Sequence, residues 1–203
     1  MLHHPISDRM SSAIILIGNI GSGKTTLADY LIREFDKFHK IAIGDYPKKV
    51  LSSVSKLFDK PIELDSFYDR SVKELYRPLL IEFATDIFRN QLNPDVWIDA
   101  AIYDIKKNKF NFVVFEDVRF DNEFKKICEN FENVIVIELK NESEVDYEVD
   151  HEKISVDSCQ KIFKLNSYKT NSKIFDEVRE IIETHITSKF LFNWVFRIDF
   201  IFG

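Results

Sequence analysis

The chain has 203 residues, 45% of them hydrophobic, and a formal net charge of −6 at pH 7. That length and apolar content fit one domain, or one domain with insertions, built around a real core. Acid in excess of base argues against a sequence-independent hold on polymeric nucleic acid, which relies on Lys and Arg, and points to a small substrate.

In chain order, Met1 to Ser12 has no positively charged region followed by a long apolar run, so no signal peptide is read there. No segment reaches the roughly 18 uninterrupted apolar residues of a membrane span, and the expected location is the cytoplasm. The run AIILIG, Ala13 to Gly18, is short, apolar and isoleucine-rich, as a strand buried on both faces of a parallel sheet should be. Beyond it Leu27, Ala28, Leu31, Ile32 and Phe35 recur at helical spacing. KIAIG, Lys40 to Gly44, reads as a second strand, followed by a helix over about 47–58 with Pro47 in its first turn. The polar stretch 59–69 reads as a loop.

Two helices are predicted next, over about 72–90 and 94–107, parted by the Asn-Pro breaker of NQLNPD. FNFVVFED (Phe110 to Asp117) and NVIVIELK (Asn133 to Lys140) are apolar and β-branched, with a helix over about 122–130 between them. A weaker strand, KIFKLN (Lys161 to Asn166), precedes a last helix over about 172–185. The acidic segment Asn141 to Glu152 is either a solvated loop or a mobile lid. In the final stretch, aromatic and apolar residues alternate from Phe190 to Phe202, which suits an edge strand or a tail docked on the core. Dimerisation or a membrane-surface role is the competing reading, so a homodimer stays open. Cys128 and Cys159 are the only cysteines and lack metal-ligand spacing; both read as core thiols.

Strands alternating with helices imply an α/β fold with a mostly parallel sheet covered on both faces and ligands at the carboxyl ends of its strands. Gly18 to Thr25 falls there. The chain has only five glycines, yet Gly18, Gly21 and Gly23 lie within six residues. GNIGSGKT matches G-x-x-x-x-G-K-[ST] between a buried strand and an amphipathic helix. Such a loop turns successive amides inward, and the helix that follows offers its unpaired N-terminal N–H groups to the same point. Ser22 and Thr26 complete the expected phosphate cradle, Lys24 would reach the β and γ phosphates of ATP, and the Thr25 hydroxyl would ligate Mg²⁺. Asp117, at the end of FVVFED, is expected to hold that metal through water; a helix cap or a surface acid is the competing reading. Arg119, two residues on, would pair with a phosphate oxygen, or else form a surface salt bridge.

The ordered set GSGKTT, DYPK, LLIEFATDIFR, PDVWIDA and FEDVRFDNE resembles the deoxynucleoside monophosphate kinases of large tailed bacteriophages and related viruses, from about Ile14 to Ile182. D-V-R-F-x-N-E, Asp117 to Glu123, is its most specific piece. The resemblance implies a three-layer α/β/α P-loop fold with a five-stranded sheet, a helical monophosphate-binding region over 47–108, a lid-like segment over 140–160, and a hydrophobic tail from 186 outside a kinase domain of 10–185. It implies transfer of the ATP γ-phosphoryl to a deoxynucleoside 5′-monophosphate with Mg²⁺. Residue by residue, it implies catalytic roles for Lys24, Asp117, Arg119 and Arg89. It also implies contacts to the monophosphate from Lys48, Thr85, Arg89, Arg119 and Asn122. Trp97 either walls the base pocket or belongs to the core. The chain departs from the family at His151, which lacks the serine and glutamate that usually follow. It departs again in its acidic, arginine-free lid segment, where either Lys140, Lys153 or another cation substitutes or the lid mainly excludes water.

Other readings are another small-molecule P-loop kinase and a nucleotide-binding switch. A guanine-reading switch needs an N-K-x-D stretch, and Asn108 to Asn111 lacks the aspartate.

Overall fold

Alternation of side chains along five parallel strands sorts the core into two layers, one on each face of the sheet. The computed structural model describes residues 9–19, 21–140, 161–166 and 171–187. In sequence order the elements are β1 (Met10–Gly18), α1 (Lys24–Glu34), β2 (Phe38–Ile41), α2 (Asp45–Ser55), α3 (Arg70–Ile81), α4 (Val96–Lys107), β3 (Phe112–Phe115), α5 (Asp121–Asn130), β4 (Phe131–Lys140), β5 (Ile162–Asn166) and α6 (Asn171–Ile182). The sheet order is β2-β3-β1-β4-β5, and every pairing is parallel. The α/β expectation therefore holds, with β1 central as its unbroken apolar run requires.

Along β1, Ala13 and Ile15 join Val113 and Phe115 of β3 against Trp97 and Ile98 of α4 and Phe124 and Ile127 of α5. Ile14 and Leu16 point the other way, with Val114, onto Leu27 and Leu31 of α1 and Val178 and Ile182 of α6. This period of two has a functional consequence: successive residues at the end of β3 are sent to opposite faces. Phe115, the last residue of β3, pairs with Ile15, three residues before the end of β1, and Lys24 beyond β1 feels the charges of Glu116, Asp117 and Arg119 beyond β3. The loop after β1 and the loop after β3 therefore share one crevice.

Several boundaries differ from the sequence reading. The strand predicted over 40–44 ends at Ile41, because Ile43 and Gly44 give their amides to a side chain from β3's loop rather than to the sheet. The stretch 59–69 contains a 3₁₀ turn, Leu64–Phe67, and Phe67 is only 1% exposed, with its ring edge toward Tyr76. The helix predicted over 72–90 is α3 followed without a break by a π-helical stretch, Glu82–Leu92, closed by Asn93 N–H donating to Phe88 O. Pro78 inside α3 has no N–H to give, so the regular ladder is interrupted before those wider turns begin. The last helix runs on through Glu183–Thr187, where Ile186 is buried, so the tail boundary at 186 is too early. Cys128 is half-buried against the first core layer. Cys159, His151, Lys153, the segment 141–160 and the aromatic tail lie outside the described residues.

No helix among the described residues is long and apolar enough to cross a membrane. Phe115 is fully buried on a strand paired on both sides, edge-on to Phe131 with ring centroids 6.0 Å apart. Phe115→Ala should lower unfolding free energy by about 3–5 kcal/mol in urea titration, with the denaturant slope unchanged.

Candidate active site

The loop between β1 and α1 has the backbone that its glycines permit. Gly18 has φ +147°, and a Cβ there would sit 2.5 Å from the carbonyl oxygen of Leu139 and 2.7 Å from Ser22 Oγ. A side chain at this position has no room. Gly23, the N-cap of α1, has φ +91° and ψ 14°, a left-handed conformation, and Gly21 shares the positive φ. No side chain caps α1 and no acid stands in its first turn, while Leu27 N–H already takes the Gly23 carbonyl. The amides of Lys24, Thr25 and Thr26 thus open the helix with its positive dipole end uncompensated. Thr25 and Thr26 are exposed at this end. Ser22 is buried, and its Oγ has no hydrogen-bond partner among the described residues.

Lys24 folds back over the loop and donates to the carbonyls of Gly18 (2.5 Å) and Asn19 (2.9 Å). Burial, and next the Arg119 guanidinium, push its ammonium below the usual lysine range, against the pull of Glu116 and Asp117. These four side chains form one electrostatic neighbourhood at the paired ends of β1 and β3.

The two acids at the end of β3 have different surroundings. Asp117 accepts Ile43 N–H at Oδ1 (2.7 Å) and Gly44 N–H at Oδ2 (2.8 Å), capping the approach to α2 from across the sheet. Burial pushes this carboxyl up, while the two amides hold it back. Gly44 leaves room for it, since a Cβ there would be 3.0 Å from Oδ2. Asp117 thus fixes the two residues that lead into α2. Glu116 points to the other face: its Oε1 is 3.8 Å from Lys40 Nζ, and Lys40 in turn reaches Asp29 of α1 at 2.7 Å. Its Oε2 is buried without a hydrogen-bond partner among the described residues.

The rest of D-V-R-F-x-N-E is a bracket built on Glu123, which is 4% exposed. Its Oε1 faces Arg89 at 3.1 Å, and its Oε2 accepts the amides of Arg119 (2.8 Å) and Phe120 (3.2 Å). Burial raises this carboxyl, opposed by the Arg119 amide and the Arg89 charge. Arg89, 8% exposed, also donates to Asn122 Oδ1 (3.1 Å) and lies 3.7 Å from the Phe120 ring centroid. Asn122 gives its amide group to Asp95 Oδ1 (2.7 Å) and Pro94 O (3.0 Å). Asn122, expected to touch the monophosphate, thus has its side chain engaged in joining the start of α5 to the residues that lead into α4. Arg89 sits at the site but is held by protein groups, whereas the side chain of Arg119 is exposed beside Lys24.

On the acceptor side Lys48 pairs with Asp45 (2.8 Å) and lies 4.5 Å above the Tyr68 ring. Burial, then its bond to Asp45, raises the Tyr68 hydroxyl. Thr85 is half-buried one turn before Arg89. Trp97 is 5% exposed, donates Nε1–H to Ala84 O (2.9 Å) and packs against Phe88, so its place is in the core rather than on a pocket wall. On the opposite side of the loop, a shallow pocket is lined by Ser22, Thr26, Leu27, Leu139, Ile174 and Phe175. Glu116, Glu123 and this pocket were not predicted. Alternation along β3 carries the signal for Glu116; the others depend on tertiary contacts.

No family model matches the chain, and no curated protein is similar to it. Solved structures similar to it include a provisionally assigned kinase from Chloroflexus aurantiacus, with 15% identity, a TM-score of 0.48, and 87% of this chain and 98% of that one covered. A sugar kinase from Janibacter sp. has 11% identity and a TM-score of 0.44, covering 88% of this chain and 95% of its own. The APS kinase CysC of Mycobacterium tuberculosis has 12% identity and a TM-score of 0.44, covering 86% and 99%. Similarity at this level assigns neither a substrate nor a reaction.

Removing Glu123 would leave the Arg89 charge buried and two amides without an acceptor. Glu123→Ala should cost about 3–5 kcal/mol in chemical unfolding, and Glu123→Gln less. The lowered Lys24 sets a pH limit: nucleotide affinity of the wild type should fall on the alkaline side below the usual lysine value of about 10.4, and Lys24→Arg should move that break upward. Calorimetric titration with ATP across pH reads both.

Proposed function

We propose that the protein is an ATP-dependent P-loop kinase that phosphorylates a deoxynucleoside 5′-monophosphate, giving ADP and the diphosphate. The observation that carries the donor half is the uncapped N-terminus of α1 behind a loop with three positive-φ glycines and Lys24 at its mouth. Such an array of main-chain donors suits a polyphosphate and has no evident structural use. The shallow pocket beside Thr26, with polar groups from Ser22 and Thr26 and apolar ones from Ile174 and Phe175, lies next to this loop.

Phosphoryl transfer asks for alignment and for positive charge at both ends of the moving group. Lys24 exchanges the carbonyls of Gly18 and Asn19 for donor phosphate oxygens, and the amides of the α1 N-terminus orient the β-phosphate. The exposed Arg119 guanidinium stands between donor and acceptor and meets the equatorial oxygens as charge spreads over them. Arg89 reaches the acceptor phosphate by trading its Glu123 contact for a phosphate oxygen; a dianionic monophosphate competes well for a guanidinium held by one carboxylate oxygen. Lys48 and Thr85 complete the acceptor side. Thr25 with a carboxylate at the end of β3 fits Mg²⁺, since a hard cation prefers oxygen donors and an orphaned buried acid oxygen is present there. When bound, Mg²⁺ neutralises charge between the β and γ phosphates.

The acceptor identity rests on the sequence resemblance together with the three cations gathered at one crevice. A coupled ADP-release assay with each deoxynucleoside monophosphate in turn tests it. Release with at least one of them, above ATP alone, is the expected result; release with none sinks the acceptor reading. Lys24→Ala should lower kcat by about 10²–10³ or more. Arg89→Ala should raise KM for the monophosphate at least about tenfold with ATP affinity unchanged.

A further inference from the structure

We propose that Glu116, not Asp117, is the carboxylate that receives the hydrated divalent cation accompanying a nucleotide polyphosphate; this rests on the phosphate-loop reading above. Both acids follow Phe115, which pairs with Ile15, and both act on the Lys24 ammonium, so nearness to the loop does not choose between them. Direction and occupancy do. Val114 belongs to the layer facing α1, and Phe115 to the layer facing α4 and α5. Alternation then sends Glu116 toward α1, the helix that begins with Lys24 and Thr25, and sends Asp117 away from it. The side-chain contacts agree: Glu116 meets Lys40, itself paired with Asp29 of α1, whereas Asp117 meets the backbone ahead of α2.

Asp117 has one amide on each oxygen at 2.7 and 2.8 Å, and turning it toward a cation would leave the Ile43 and Gly44 amides ahead of α2 without their acceptor. Glu116 keeps Oε2 buried and without a hydrogen-bond partner among the described residues, and its side chain is 14% exposed. A buried acid oxygen without a partner costs free energy in the empty protein and needs a reason. Beside a loop built for anions, the acid would repel a bare polyphosphate. A hydrated dication is the species that reconciles the two, because its waters donate to Oε2 while its charge screens the acid from the phosphates. Lys40 does not do this, since it lies 3.8 Å from the other oxygen and is closer to Asp29.

The test is the gain in nucleotide affinity that the metal brings. Binding of the non-hydrolysable analogue AMP-PNP is measured by calorimetry with Mg²⁺ and with EDTA, on wild type, Glu116→Gln, Glu116→Ala and Asp117→Asn, alongside a thermal melt of each. Loss of an outer-sphere partner typically weakens metal binding about 10–100-fold. Both Glu116 variants should therefore lose roughly tenfold or more of the Mg²⁺-dependent gain. Their metal-free affinity should rise, and Glu116→Gln should melt no lower than wild type. Asp117→Asn should melt lower and keep the gain. A Glu116→Gln or Glu116→Ala protein with the full gain overturns the inference while leaving the phosphate loop standing, as does an Asp117→Asn protein that loses the gain without a drop in melting temperature. A wild type that binds AMP-PNP in neither condition overturns the phosphate-loop reading and this inference with it.

Discussion

The site depends on the parallel pairing of β1 with β3. Because β3 lies beside β1, with Phe115 paired to Ile15, the glycine loop after β1 and the acidic turn after β3 share one rim, where Lys24 meets the charges of Glu116, Asp117 and Arg119. Parallel strands bring their carboxyl ends, and hence the loops that leave them, to one rim. A shift of one residue in that pairing would exchange the faces of Glu116 and Asp117, and the whole arrangement would invert.

Around this edge, buried carboxylates hold main chain in place. Asp117 fixes the turn into α2 through two amides, and Glu123 fixes the turn of Arg119 and Phe120 through two more. Each is a charge-assisted contact in a dry setting, where hydrogen bonds to ions are about twice as strong as neutral ones. The result is a rigid frame from which the Arg119 side chain projects. Glu123 also neutralises Arg89, which would otherwise be an unpaired buried cation. Glu116 alone in this set has an oxygen with no such duty among the described residues.

The resting crevice is thus partly filled by its own contacts. Lys24 rests on the loop carbonyls and Arg89 rests on Glu123, so both cations are satisfied before any anion arrives. An anion that engaged either cation would have to displace these partners, and drawing Arg89 away would leave the buried Glu123 without its counter-charge.

The loop was legible in sequence because its chemistry is local. Three glycines, a lysine and a hydroxyl between a buried strand and an amphipathic helix constrain the backbone within eight residues, and the left-handed angles at Gly21 and Gly23 are what that spacing requires. The α/β class and the strand set were legible for the same reason, since period-two and helical patterns are short-range. What only the tertiary structure decided was partnership across long separations. The pairing of Asp117 with Ile43 and Gly44, of Glu123 with Arg89, and of Asn122 with Asp95 joins residues 27 to 74 positions apart. No local pattern marks such contacts, so the motif could not show that the Asn122 side chain is engaged by Asp95 and Pro94, nor choose between pocket wall and core for Trp97, which is buried against Phe88. Sequence by itself determined the strand, glycine loop and helix after Met10; which acids and arginines beside that loop keep a free hand was decided by how distant segments met, because a side chain's availability depends on who else has bonded it.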